Sequence, residues 1–159
     1  MITQTQALVR DVTNATRRLY RGTSVMNFIL SSKETNGALS IVDVHMYKDT
    51  EPPRHVHDRE DETFIVKEGE VTFFIGENMI KAYAGDMVFG PRGVAHNFKL
   101  DTDTAKLRVI MTPGNFDQFF WEQSVPYSAG EPVKPVGPPS PEVIQAILKY
   151  ASSFGTRFI

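Results

Sequence analysis

The sequence contains no cysteine among its 159 residues. That excludes disulfides, iron–sulfur clusters and thiolate-held zinc, so any metal must be taken by nitrogen and oxygen donors. It also lacks an apolar run long enough to span a bilayer, and its opening stretch, MITQTQALVRDVTNATRRLY, has no apolar core of signal-peptide length. No membrane partner is expected, and a reducing cytoplasm is the expected location of a chain without cysteine. Charge of one sign is scarce too: 17 Lys and Arg against 19 Asp and Glu leave a net −2, which gives no electrostatic pull toward nucleic acid. Histidine is rare, with four in the chain, so where the histidines fall carries information.

What is present is an ordinary globular composition, 41% hydrophobic and 23% charged, on a chain long enough to bury a core. One domain is expected over 1–159, with an N-terminal arm at 1–16, a barrel over about 17–112 and a helical extension over 113–159. The middle of the chain reads as short β-rich runs: Leu19–Tyr20, Ser24–Leu30, Ala38–Tyr47, Thr63–Lys67, Val71–Ile75, Met79–Tyr83, Met87–Phe89, His96–Leu100 and Leu107–Met111. Turn residues separate them, among them Asn36-Gly37, Glu68-Gly69, Gly76-Glu77-Asn78, Gly85-Asp86 and Pro91-Arg92-Gly93. Many short, closely spaced strands predict an all-β sandwich or barrel. A short helix is expected over Asn115–Gln123. A C-terminal helix should start at Ser140 as cap and Pro141 as first residue, carry Val143, Ile144, Ile147, Leu148 and Ala151 at helical spacing, and end near Gly155. Pro126 to Pro141 reads as an extended surface connection.

Two of the four histidines stand in His55-Val56-His57. On a strand they share a face and can reach one ion together. Glu62 is an odd number of positions beyond His57 and would fall on the opposite face of a continuous strand. A turn in the polar run Asp58-Arg59-Glu60-Asp61 resets the phase and lets Glu62 open the next strand, with Phe64 and Val66 on its own face. His96 heads a further strand after the Pro91-Arg92-Gly93 turn. Three imidazoles and a carboxylate from separate strands meet only on a curved sheet, which a closed barrel supplies. Asp58, Glu60 and Asp61 read as solvated turn acids. In Ala38–Tyr47 the face carrying Ser40, Val42, Val44 and Met46 is the more uniformly apolar and is expected inside, which makes His45 structural or interfacial rather than a fifth ligand. Arg54 and Arg92 read as solvated turn residues. The aromatics are core first, with Phe64 and Phe98, and Met46 beside them, as candidates for the wall of a substrate pocket.

The run His55-x-His57, Glu62, Gly69 resembles the first motif of the cupin superfamily, and Gly85, Pro91-x-Gly93, His96 resembles the second. Fifteen residues lie between Gly69 and Gly85, a short spacing similar to that of small single-domain cupins. Asp49 and Leu100 stand where the family carries a glycine and an asparagine; neither position is a metal ligand in the family. Thr35-Asn36-Gly37-Ala38-Leu39-Ser40-Ile41-Val42, Pro52-Pro53-Arg54-His55-Val56-His57 and Pro113-Gly114-Asn115-Phe116 are similar to quercetin-dioxygenase-like cupins. The resemblance implies a jelly-roll β-barrel and one divalent ion (Fe, Mn, Ni, Co, Cu or Zn) on His55, His57, Glu62 and His96. It further implies a homodimer, with the strands around Leu19–Leu30 as candidates for pairing across the interface.

A three-histidine, one-carboxylate set leaves coordination positions for substrate oxygen or O₂. The resemblance implies a dioxygenase acting on a small, aromatic hydroxy-ketone, with Glu62 serving as ligand and general base. Two other classes use the same residues: a non-redox isomerase, cyclase or hydrolase, and a cupin that binds a small ligand without turnover.

Overall fold

Strict alternation of apolar and polar side chains sets the strands. The run Ser40-Ile41-Val42-Asp43-Val44-His45-Met46-Tyr47 alternates buried and half-buried positions from end to end, and Glu62, Phe64 and Val66 do the same two strands later. The structure is a computed structural model and describes residues 7–131, 133 and 140–159. In chain order it comprises β1 (Thr16–Tyr20), β2 (Ser24–Leu30), β3 (Ser40–Tyr47), β4 (His55–His57), β5 (Asp61–Glu68), β6 (Glu70–Ile75) and β7 (Asn78–Tyr83). There follow β8 (Met87–Gly90), β9 (His96–Leu100), β10 (Thr104–Thr112), α1 (Phe116–Glu122), β11 (Ser124–Pro126), α2 (Pro141–Ser153) and β12 (Thr156–Phe158). A single 3-10 turn, Val12–Asn14, capped by Asp11, precedes β1.

The strands form two antiparallel sheets, one in the order β11-β1-β2-β3-β10-β5-β8 and the other in the order β12-β4-β9-β6-β7. Non-consecutive neighbours in both sheets are the mark of a jelly roll. The inner faces meet in one core, with Val42, Val66, Leu107 and Met111 from the first sheet against Val71, Phe73, Phe98 and Leu100 from the second. The interior face of β3 is Ser40, Val42, Val44 and Met46, while His45 is half-buried on the other side, next to Tyr47. Leu100 is a core residue. Asp49 has φ of 69°, so the left-handed turn survives there without glycine.

Two strands fall outside the predicted set. β11 and β12 are each three residues long, too short for alternation to register as a pattern. β11 lies against the outer side of β1, and β3 occupies the free side of β2. The open edge expected at Leu19–Leu30 is therefore covered within the chain, and β11 takes its place as the sheet edge. In α2, the Ser140 hydroxyl accepts from the Val143 N–H, Pro141 opens the helix, and Ile147 and Ala151 are buried against the barrel. The expected extended connection falls partly on residues 132 and 134–139, outside the described residues, as do residues 1–6 of the N-terminal arm. No helix among the described residues is long and apolar enough to cross a membrane.

Gly69 joins β5 to β6 with φ of 87°, and a Cβ there would sit 2.7 Å from both the Thr104 carbonyl oxygen and the Thr102 hydroxyl. Backbone conformation and space both demand glycine. Gly69→Ala should lower stability by about 2 kcal/mol or more, read as a drop in the urea midpoint; an unchanged midpoint would contradict this account of the turn.

Candidate metal centre

β4 is three residues long, and all three are buried. It lies between β9 and β12, and its pairing with β9 sets His55 directly opposite His96. Glu62 reaches in from the other sheet as the second residue of β5. The turn at 58–60 does reset the phase between His57 and Glu62. His55, His57, Glu62 and His96 are all buried, and one donor atom from each lies within 4.8 Å of the others. Metal–nitrogen and metal–oxygen bonds are about 2.0–2.2 Å, so donors on opposite sides of one ion stand about 4.4 Å apart. The set closes on an ion with shifts of a few tenths of an ångström.

The ring nitrogens are committed in a consistent way. His55 Nδ1 lies 2.8 Å from the Pro53 carbonyl oxygen, and His96 Nδ1 lies 3.0 Å from that of Val94. A carbonyl can only accept, so both rings carry a proton on Nδ1; His55 turns its Nε2 lone pair inward, while His96 Nε2 faces a carboxylate that can only accept and so donates to it in the metal-free chain. His96 Nε2 is 3.0 Å and His57 Nε2 is 3.5 Å from Glu62 Oε2. His57 Nε2 is buried with no hydrogen-bond partner. Such an orphaned inward-facing nitrogen is what a metal ligand looks like without its ion.

The electrostatics suit a cation. Burial pushes the His55 pKa down to about 4 and also lowers that of His57, so both rings are neutral at neutral pH with lone pairs to give. For His96 burial works in the same direction, but the hydrogen bond and charge of Glu62 outweigh it and raise the pKa. Burial alone would raise Glu62, yet the facing His57, His96 and His55 rings hold its carboxyl well below the usual range.

Glu60 was not recognisable from the sequence, where it is one acid in a polar run. Its side chain is 2% exposed, and one carboxylate oxygen is buried without a partner 3.9 Å from His57 Nδ1. Burial pushes its pKa up to about 7, opposed by Arg59 and reinforced by the charge of Glu62. Asp58 and Asp61 do lie outward, paired with Arg157 and Arg92 respectively. Arg54 is half-buried and donates to the Gly76 carbonyl at 2.8 Å. Thr156, also unforeseen, places its hydroxyl 2.9 Å from His57 Nδ1.

A cavity of about 730 Å³ opens beside the cluster, and His55, His57 and Glu62 form part of its wall. Met46, Phe64 and Phe98 line it from the barrel, Phe116 and Phe119 from α1, Val143 and Ile147 from α2, and Phe158 from β12. The polar residues Arg21, Asp49, Thr50, Glu51 and Gln123 are among its less buried lining, beside the exposed Pro53 and Val143. Phe116 packs edge-on against His57 at 4.5 Å between ring centroids.

Residues 42–113 match the family model for the cupin domain. That stretch is a cupin domain. Over 110 residues, 69% of its length, it is 28% identical to the quercetin 2,3-dioxygenase of Bacillus subtilis, and the matched part is 33% of that protein. The chain thus spans about a third of the relative's length. Among solved structures it resembles an RmlC-like cupin from Shewanella frigidimarina (TM-score 0.60, 21% identity, 71% of this chain and 96% of that one). It also resembles a predicted oxalate decarboxylase from Thermotoga maritima (TM-score 0.55, 23% identity, 66% and 99%). These two likenesses establish the fold.

Protein purified without added metal should hold about one ion per chain, and His57→Ala and His96→Ala should hold little; equal content in all three would remove the cluster as the metal site. Affinity for Zn²⁺ should also weaken from about pH 8 to about pH 5. His96 is the ligand with the raised pKa, so its proton competes first as pH falls, while His55 competes only near pH 4. Calorimetric titrations across this range that gave one constant affinity would contradict the assignment.

Proposed function

We propose that this cupin is a metal-dependent dioxygenase acting on a small aromatic hydroxy-ketone, with His55, His57, Glu62 and His96 as the ligands of one divalent transition ion. The observation that carries this reading is the placement of the cluster: three imidazoles and one carboxylate at the wall of an aromatic-lined cavity. About 730 Å³ lies within the range of small-molecule pockets and exceeds what a two- or three-carbon acid would fill. When bound, the ion would supply Lewis acidity and open positions for substrate oxygen and O₂.

The chain's own residues divide the remaining work. Phe64, Phe98 and Phe116 offer faces and edges to an aromatic ring and exclude water from it. The polar residues Arg21, Asp49, Glu51 and Gln123 suit hydroxyl substituents at the outer end of the substrate. Glu62, held as a carboxylate by its three histidine neighbours, takes the proton of the substrate hydroxyl and leaves the ring electron-rich. The similarity to a third of a quercetin dioxygenase supports this reaction class.

A flavonol and polyphenol panel, assayed by oxygen electrode with each of Fe, Mn, Ni, Co, Cu and Zn, tests the proposal. Metal-dependent O₂ uptake is expected, and Glu62→Gln should cut the rate per bound metal by about 100-fold or more. Turnover that proceeds without oxygen and is retained with Zn²⁺ would replace this reading with Lewis-acid chemistry. Unchanged ligand after long incubation would replace it with a binding role.

A further inference from the structure

The seven-stranded sheet gives one face to the core and leaves the other uncovered. On β3, β10, β5 and β8 the core takes Val42, Val109, Phe64 and Val88. The alternate positions, Ile41, Ile110, Ile65, Met87 and Phe89, therefore point outward. Ile41, Ile65 and Ile110 are half-buried by their neighbours in the sheet, and Met87 and Phe89 are 62% and 52% exposed. A sheet face left to water is normally polar, and a contiguous apolar one marks a contact surface. Both helices turn Phe116, Phe119, Ile147 and Ala151 to the core on the opposite side, so neither covers this face.

The charged groups in its middle are paired among themselves. Asp43, with its side chain 12% exposed, accepts from Arg108 Nε at 2.7 Å, from Arg108 Nη2 at 2.9 Å and from Lys67 Nζ at 2.8 Å. Lys106 donates to Glu68 at 2.8 Å. A face with both signs interleaved in this way suits a surface as mixed as itself.

The register shows how two such faces meet. Pairing of β3 with β10 sets Asp43 beside Arg108 and Ile41 beside Ile110. A two-fold axis lying between these strands and along them brings a second copy face to face, with the partner's β10 over β3. Asp43 then faces the partner's Arg108, Ile41 faces the partner's Ile110, and symmetry repeats both contacts. An axis across the strands would instead set Asp43 against the partner's Asp43. The area is also sufficient. Seven strands at about 4.8 Å spacing, each about six residues long at about 3.3 Å per residue, present roughly 650 Å². That is the scale of the roughly 800 Å² per partner that a stable interface buries.

We propose that the outer face of the seven-stranded sheet is the interface of a two-fold homodimer, with Asp43 and Arg108 paired across it as well as within each chain. The inference stands apart from the metal-centre reading and does not need it.

Sedimentation equilibrium of the full chain tests it. The wild type should be dimeric at about 10 µM. Ile110→Lys should raise the dimer Kd about 100-fold or more, whereas Met79→Glu, on the other sheet, should leave it unchanged. If Ile110→Lys does not fold, Phe89→Lys makes the same comparison. Asp43→Arg and Arg108→Asp should each be monomeric alone. An equimolar mixture of the two should form a heterodimer, because opposite charges then meet at both crossings. A wild type still monomeric at about 100 µM would overturn the second copy as occupant and leave the face to a different protein. A dimer that survives both Ile110→Lys and Phe89→Lys would overturn the proposal by placing the interface elsewhere. Failure of the charge-swapped mixture to associate would overturn the axis.

Discussion

A carboxylate withdrawn from water inside an apolar barrel needs partners close enough to replace its hydration, and Glu62 is that carboxylate here. It comes from one sheet, and the three imidazoles that face it come from the other. The two sheets are therefore joined at the barrel mouth by an electrostatic contact as well as by the core. The arrangement stays open to a cation because the partners are imidazoles. Arginine or lysine would neutralise Glu62 permanently, whereas a neutral ring offers a lone pair and yields its place in the charge balance to an ion. The same burial that keeps His55 and His57 neutral is what makes them useful.

The aromatic lining follows from the same geometry. All three residues of β4 are buried, and α1 and β12 cover its histidines with Phe116 and Phe158. α2 then adds Val143 and Ile147, and Tyr150 stacks on Phe119 to hold the helix down. The segment after β10 is thus wall of the cavity as well as covering for the barrel.

Much of this was legible in the chain. β2 and β9 begin and end where alternation predicts, and most of the other long strands differ by one to three residues at their ends. His55, His57, Glu62 and His96 were legible as a group because their spacing follows a two-motif pattern and because histidine is scarce enough that each one stands out. What was not legible depends on pairings distant in sequence. Thr156 is 99 residues from His57, and nothing local to β12 announces that it will lie beside β4. Glu60 sits among acids that look alike, and only the tight turn between His57 and Glu62 separates the one that points inward from Asp58 and Asp61. The covered edge at β1 was missed for the same reason, since three residues of β11 carry no periodicity to detect.

The two ways of anchoring histidine rings differ in heritability. The carbonyls of Pro53 and Val94 belong to the main chain, and no codon change removes them; any residue at those positions presents the same oxygen. Thr156 is a side chain, one nucleotide substitution away from a different group. Random mutation therefore reaches one corner of the cluster far more readily than the other two. A substitution can therefore remove the partner of His57 Nδ1, whereas none removes the carbonyl partners of His55 and His96.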